Sequence, residues 1–139
     1  MHPPTDTQAT QDNKTVVQRL IEEVITDGRL DLIDALYAPE SADAARRWIA
    51  PFRAAFPDVH MEIVELVAEG DKVVGRFRCS GTHSGTWRGQ PPTGRRFERV
   101  DEVYFFDIHG GRITSAWGLE DTRSRLKQLG LRDPARGRP

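Results

Sequence analysis

The sequence predicts an α+β fold: a curved, cone-shaped antiparallel sheet with three N-terminal helices packed over its concave face. Three observations carry this. Apolar residues recur at helical spacing as far as about residue 55. From Val59 onward the apolar period drops to two. The longest strand pattern, residues 95–121, then folds back at His109-Gly110-Gly111 as an antiparallel pair.

Residues 1–13 are polar, rich in Thr, Gln and Pro, and read as a disordered arm. Val16, Val17, Leu20, Ile21, Val24 and Ile25 form one stripe of a first helix, residues 14–27, with Gly28 suited to a left-handed cap. Leu30, Leu32, Ile33 and Leu36 predict a short second helix over 30–37, stopped at Ala38-Pro39. A third helix, 41–55, takes Ser41 as N-cap and buries Ala45, Trp48, Ile49 and Phe52; Pro51 inside it predicts a kink or break. Val59, Met61 and Ile63 alternate along a first strand, and Glu69-Gly70-Asp71 signals a hairpin turn. The next strand sets Val73, Phe77, Cys79 and His83 on one face; residues 85–94, rich in turn formers, read as an exposed loop. Asp121 or Thr122 caps a last helix over 122–129, ended by Gly130. The organisation expected is therefore an arm (1–13), one domain (14–130) and a mobile tail (131–139).

Hydrophobic residues at 37% and a formal net charge of −1 describe a globular chain with no electrostatic footprint for nucleic acid. Acids concentrate in the first half and bases in the second, which reads either as a solvated surface or as a basic rim around an anionic substrate. No apolar run reaches the length of about 20 residues that spans a bilayer. A single cysteine, Cys79, excludes an internal disulfide, and the N-terminus lacks a signal-peptide pattern, so a cytoplasmic protein is expected.

The chemistry is expected in the long hairpin. Its first strand places Glu98, Val100, Glu102, Tyr104 and Phe106 on one face and Phe97, Arg99, Asp101, Val103 and Phe105 on the other. Its second places Ile113, Ser115, Trp117 and Leu119 opposite Thr114, Ala116, Gly118 and Glu120. A half-buried strand keeps its charges on one side; here both faces of the first strand mix acids with apolar residues, so at least one acid is expected to face a lined cavity.

Four strings, residues 51–74, GTHSG at 81–85, GQPPTGRRF at 89–97 and GGRITSAWGLED at 110–121, together resemble the SnoaL-like polyketide cyclases. That family shares the cone-shaped fold of nuclear transport factor two and ketosteroid isomerase. The resemblance implies an enzyme without metal or cofactor that closes a ring by an intramolecular aldol step within a hydrophobic pocket. It also implies a homodimer through the outer sheet face. In the family the acid/base follows the tryptophan of the last strand, a position held here by Gly118. The family's histidine on the preceding strand falls on Glu102, and the family's segment after the second helix is shortened at Pro39.

Glu102, between Val100 and Tyr104, is the first candidate general acid/base, its pKa expected to rise by desolvation. Glu120, on the face of Gly118, is a candidate to take over the missing acid's role. His83 is expected to point inward near the cavity mouth as an assisting group, or to be a satisfied structural histidine; alone, it gives no metal site. Trp117, Tyr104, Trp48, Phe52 and Trp87 are candidates to stack on a flat hydrophobic, polyketide-like molecule; all but Trp87, on its exposed loop, also suit core packing. Three functions are compatible: the cyclase or a related dehydration or isomerisation, a hydroxylase- or hydrolase-type enzyme on the same scaffold, and a non-catalytic small-molecule-binding or dimerisation module. Neither nucleic acid nor membrane is an expected partner.

Overall fold

The computed structural model describes residues 7–132. Helix formation starts at Gln8, not at residue 14: the Thr7 side chain accepts the Thr10 N–H at 3.2 Å, an N-cap inside the polar segment. Residues 8–13, expected as arm, thus belong to α1 (Gln8–Arg19). The rest of the expected arm and residues 133–139 of the tail lie outside the described residues. From Leu20 to Thr26 the helix widens into π-helical turns and buries Leu20, Ile21, Val24 and Ile25. Gly28, at φ +80°, ends it as expected. The freed carbonyls of Ile25 and Thr26 accept from the Arg53 guanidinium at 2.9 and 3.1 Å, a cation at a helix C-terminus.

A 3-10 turn (Leu30–Leu32) runs into α2 (Ile33–Leu36). The next helix, α3 (Pro39–Ala55), departs from expectation at both marked positions. Pro39 opens it at the first helical turn, where its missing N–H has no intrahelical partner to lose. Ser41 is therefore already inside, and its hydroxyl donates to the Thr114 carbonyl at 2.6 Å, tying the helix to the sheet. The helix also runs on through Pro51, which is exposed, so the carbonyl it leaves unpaired one turn earlier can face water.

Four strands follow, β1 (His60–Glu69), β2 (Lys72–Thr82), β3 (Arg96–His109) and β4 (Arg112–Glu120), paired antiparallel in the order β1-β2-β3-β4. The β3–β4 turn is the two-residue Gly110-Gly111, both at positive φ, as the right-handed twist of a hairpin demands. Each pairing has one register shift, and such bulges bend a sheet.

Two of these shifts change which side chains face inward. Near Arg99, a non-glycine at φ +52°, the parity of β3 switches, so Phe97 is fully buried rather than facing out with Arg99 and Asp101. Around Thr114 the parity of β4 switches: Ile113 is buried opposite Ile108, while Trp117 and Leu119 are 60% and 65% exposed on the convex face. The last helix, α4 (Thr122–Gln128), is capped by Asp121, which accepts the Ser124 N–H at 3.0 Å. The core lies between the concave face (Phe77, Phe106, Ile108, Ile113) and the helices (Val17, Leu20, Ile21, Val24, Ile33, Ile49), and α4 closes its open end with Leu126 and Leu129. Among the described residues no helix is long and apolar enough to cross a membrane.

Candidate active site

Two carboxylates face each other on the concave side. Glu102 of β3 and Glu120 of β4 are direct cross-strand partners. Like charges so placed repel, and α4 supplies the cation between them. The Arg125 guanidinium donates through one amino group to Glu120 at 2.5 Å and through the other to Glu102 at 2.6 Å. Arg125 is fully buried, and its guanidinium carbon sits 4.7 Å from the Phe97 ring centre and 5.1 Å from that of Phe52. The Tyr104 hydroxyl donates to Glu102 at 2.8 Å and lies 3.3 Å from Glu120.

With both acids ionised, this cluster holds two negative charges against one positive charge in a largely dry site. Burial raises the pKa of Glu102, which is 2% exposed; Arg125 opposes that shift and Glu120 adds to it. The two carboxylates hold Arg125 protonated against its own desolvation. Burial, and then the two acids, push the Tyr104 phenol far up, so it stays neutral. The same heavy atoms support a second proton arrangement. A protonated Glu102 donates to Tyr104, whose hydroxyl turns to Glu120, because a hydroxyl both donates and accepts. The cluster is then neutral, with one proton to move along a Glu102–Tyr104–Glu120 line.

Gly118 explains why no carboxylate stands at residue 118. A Cβ at this position would come within 2.1 Å of the Tyr104 ring. That ring is pinned through its hydroxyl to Glu102 and stacks on Trp48, with centres 6.2 Å apart. No side chain fits at 118 while Tyr104 lies there, so the carboxylate is supplied one strand step further along the same face. Gly118→Ala is expected to cost about 1–3 kcal/mol through overpacking, read as a lowered midpoint in chemical denaturation; an unchanged midpoint would show that the ring moves freely.

Two spaces border the cluster. The inner one, lined by Ile25, Trp48, Phe52, Met61, Glu102, Tyr104 and Glu120, measures about 20 Å³, room for one water. The lined cavity expected at an acid is thus, at Glu102, only this small: Arg125 and Tyr104 occupy the cone's end. The larger space is a cleft of about 270 Å³ at the mouth, between Arg47, Trp48, Pro51 and Phe52 of α3, Trp87 and Arg88 of the loop, and Glu120. Glu120, whose side chain is 33% exposed, borders both spaces, whereas Glu102 borders the inner one alone.

The structure thus brings together Glu102, Glu120, Tyr104, Trp48, Phe52 and Trp87. It keeps two expected residues apart. Trp117 lies on the convex face, turned away by the β4 bulge, and packs edge-on against Phe105 at 5.7 Å. His83 is fully buried behind Phe56, and its Nδ1 accepts the Thr93 N–H at 3.1 Å; it lines neither space and ties the loop. Trp87, expected on an exposed loop, is only 8% exposed, because its ring packs on Phe56 with centres 5.5 Å apart. Among the described residues no three His, Cys, Asp or Glu side chains converge as metal ligands. Sequence reasoning missed Arg125. The signal was available: two acids on one buried face require a cation, and Arg125 stands on the apolar side of α4 beside Leu126 and Leu129.

The model of the SnoaL-like polyketide cyclase family matches residues 15–129. The chain is 30% identical over 109 residues to the aklanonic acid methyl ester cyclase DnrD of Streptomyces peucetius, covering 78% of this chain and 72% of that protein. The crystal structure of IdmH from Streptomyces antibioticus superposes with a TM-score of 0.74 at 27% identity, covering 86% of this chain and 99% of that one. A SnoaL-like protein from Jannaschia sp. CCS1 shares the fold, with a TM-score of 0.84 at 21% identity over 94% of this chain and all of that one. The chain belongs to the SnoaL-like polyketide cyclase family.

Proposed function

We propose that the protein closes a ring in a hydrophobic polyketide-type ester by intramolecular aldol chemistry, with Glu120 as the acid/base that meets the substrate. One observation carries this: Glu120 is the carboxylate that borders the cleft while bonded to Arg125. The similarity to a cyclase whose name gives a polyketide methyl ester as its substrate supports the substrate class.

In this reading the body of the substrate lies between Trp48, Phe52 and Trp87, and its reactive end reaches Glu120. Ionised Glu120 takes the proton from a carbon flanked by two carbonyl groups. That carbon then bonds to the ketone carbon, and the new alkoxide takes the proton back from Glu120. Atoms and charge balance without an external oxidant or reductant. Glu102 and Tyr104 hold a second proton beside Glu120, and Arg125 fixes the position of both acids. The test is turnover of a keto ester by the purified protein, followed by NMR. A product of unchanged mass with a new carbon–carbon bond supports the reading; an unchanged substrate that also fails to bind in the cleft overturns it.

A second copy of the chain is proposed as partner through the convex face. Strand register sets Val67, Val74, Phe105 and Trp117 in one row across all four strands, and Val67, Phe105, Trp117 and the neighbouring Leu119 are exposed. Such a contiguous apolar face is unusual on a monomer. Trp117→Lys is expected to convert a dimer into a single 15.7 kDa species in light scattering; a wild-type chain that is already monomeric would refute the pairing.

A further inference from the structure

We infer that Arg47 and Arg88 form an anion clamp at the cleft mouth, so that the ligand is a flat conjugated molecule bearing, apart from the ester of its reactive end, a free carboxylate. This rests on the cleft being the substrate site and goes beyond it by assigning the ligand's charge. Both arginines line the cleft beside Trp48, Phe52 and Trp87. Among the described residues neither takes part in an ion pair or a side-chain hydrogen bond; Arg95, Arg99, Arg123 and Arg132 share this, but of these six arginines it is Arg47 and Arg88 that line the cleft. Glu120, the one acid in the cleft lining, already accepts from Arg125. Two uncommitted cations therefore flank an aromatic-walled slot.

The backbone at Arg88 points the same way. Trp87 and Gln90 exchange both backbone hydrogen bonds, at 3.0 and 2.8 Å, around the two-residue turn Arg88-Gly89. Both turn residues have positive φ, +49° and +76°. The first position of such a turn favours Gly, Asn or Asp, and an arginine there holds a conformation that its Cβ opposes. The Arg88 guanidinium carbon lies 5.0 Å from the centre of the Trp87 ring. Stacking occupies the flat face of a guanidinium and leaves its N–H edge free for two parallel bonds to a carboxylate. A ligand ring lying against Trp48 and Phe52 would carry its anionic substituent to this edge.

The test compares anthraquinone-2-carboxylate with its neutral methyl ester, using quenching of tryptophan fluorescence in the wild type and in Arg47→Gln and Arg88→Gln. Both arginines are exposed, and circular dichroism checks that the variants fold. The expected result is that the wild type binds the acid at least about tenfold more tightly than the ester, as one charge-assisted pair supplies, and that each variant loses most of this preference. Equal binding of acid and ester overturns the clamp while leaving the cleft as a binding site. A preference that survives in both variants also overturns it, by placing the anion elsewhere. Failure of both probes to bind overturns the clamp together with the cleft reading.

Discussion

Arg125→Met is expected to destabilise the protein by about 3–5 kcal/mol at pH 7, the usual loss when one partner of a buried ion pair is removed and the other charge stays behind. Methionine keeps much of the volume packed against Phe52 and Phe97, so the deficit reports charge more than cavity. The deficit should also depend on pH. Burial and Glu120 already raise the pKa of Glu102, and Arg125 is the counterweight; without it the folded-state value rises further. A carboxyl whose folded pKa lies above its unfolded value, about 4.3, binds more protons folded than unfolded. Its contribution is complete below the unfolded value and is lost as pH rises through the folded one. The variant should therefore approach wild-type stability near pH 4–5 and fall furthest behind towards pH 8. Adding Glu102→Gln should restore part of the loss at the higher pH. Urea denaturation at three pH values checks this; a deficit that ignores pH would mean that Arg125 contributes only packing.

The sequence discloses the acids of this cluster but not its cation, and the reason is physical. Period-two alternation placed Glu102 and Tyr104 together on the inner face, because β3 is regular from Val100 to Asp107. The same alternation placed Trp117 with Ile113 and missed, because one extra residue at the Thr114 bulge turns all that follows to the other face. Phe97 was misplaced by the same kind of fault at the other end of β3. Helix existence was legible from apolar spacing, but helix starts were not. Thr7 caps a segment with no apolar stripe, and Pro39 opens α3 because at the first turn it has no hydrogen bond to break. Arg125 was hidden for another reason: a cation on a helix face is read as solvated until tertiary structure sets two carboxylates against it.

Glu120→Gln should lower turnover by about 10²–10⁴, the usual contribution of one general acid/base, with little loss of stability. The amide oxygen still accepts from Arg125, and a neutral group in place of one of two opposed acids relieves repulsion. Glu102→Gln separates the roles of the pair. Its amide also keeps an acceptor, but the space that Glu102 borders among the described residues holds about one water, so this change acts on Glu120 through Tyr104 and Arg125. Substantial turnover should therefore remain in Glu102→Gln. Tyr104→Phe should likewise leave substantial turnover, because it cuts the proton line while leaving both acids on Arg125. If Glu120→Gln turns over at the wild-type rate and Glu102→Gln is inactive, the buried acid does the chemistry, and the substrate must then displace Arg125 to reach it. The two outcomes differ in where the substrate's reactive carbon sits, at the cleft floor or inside the cone, and the pair of variants distinguishes them without a bound structure.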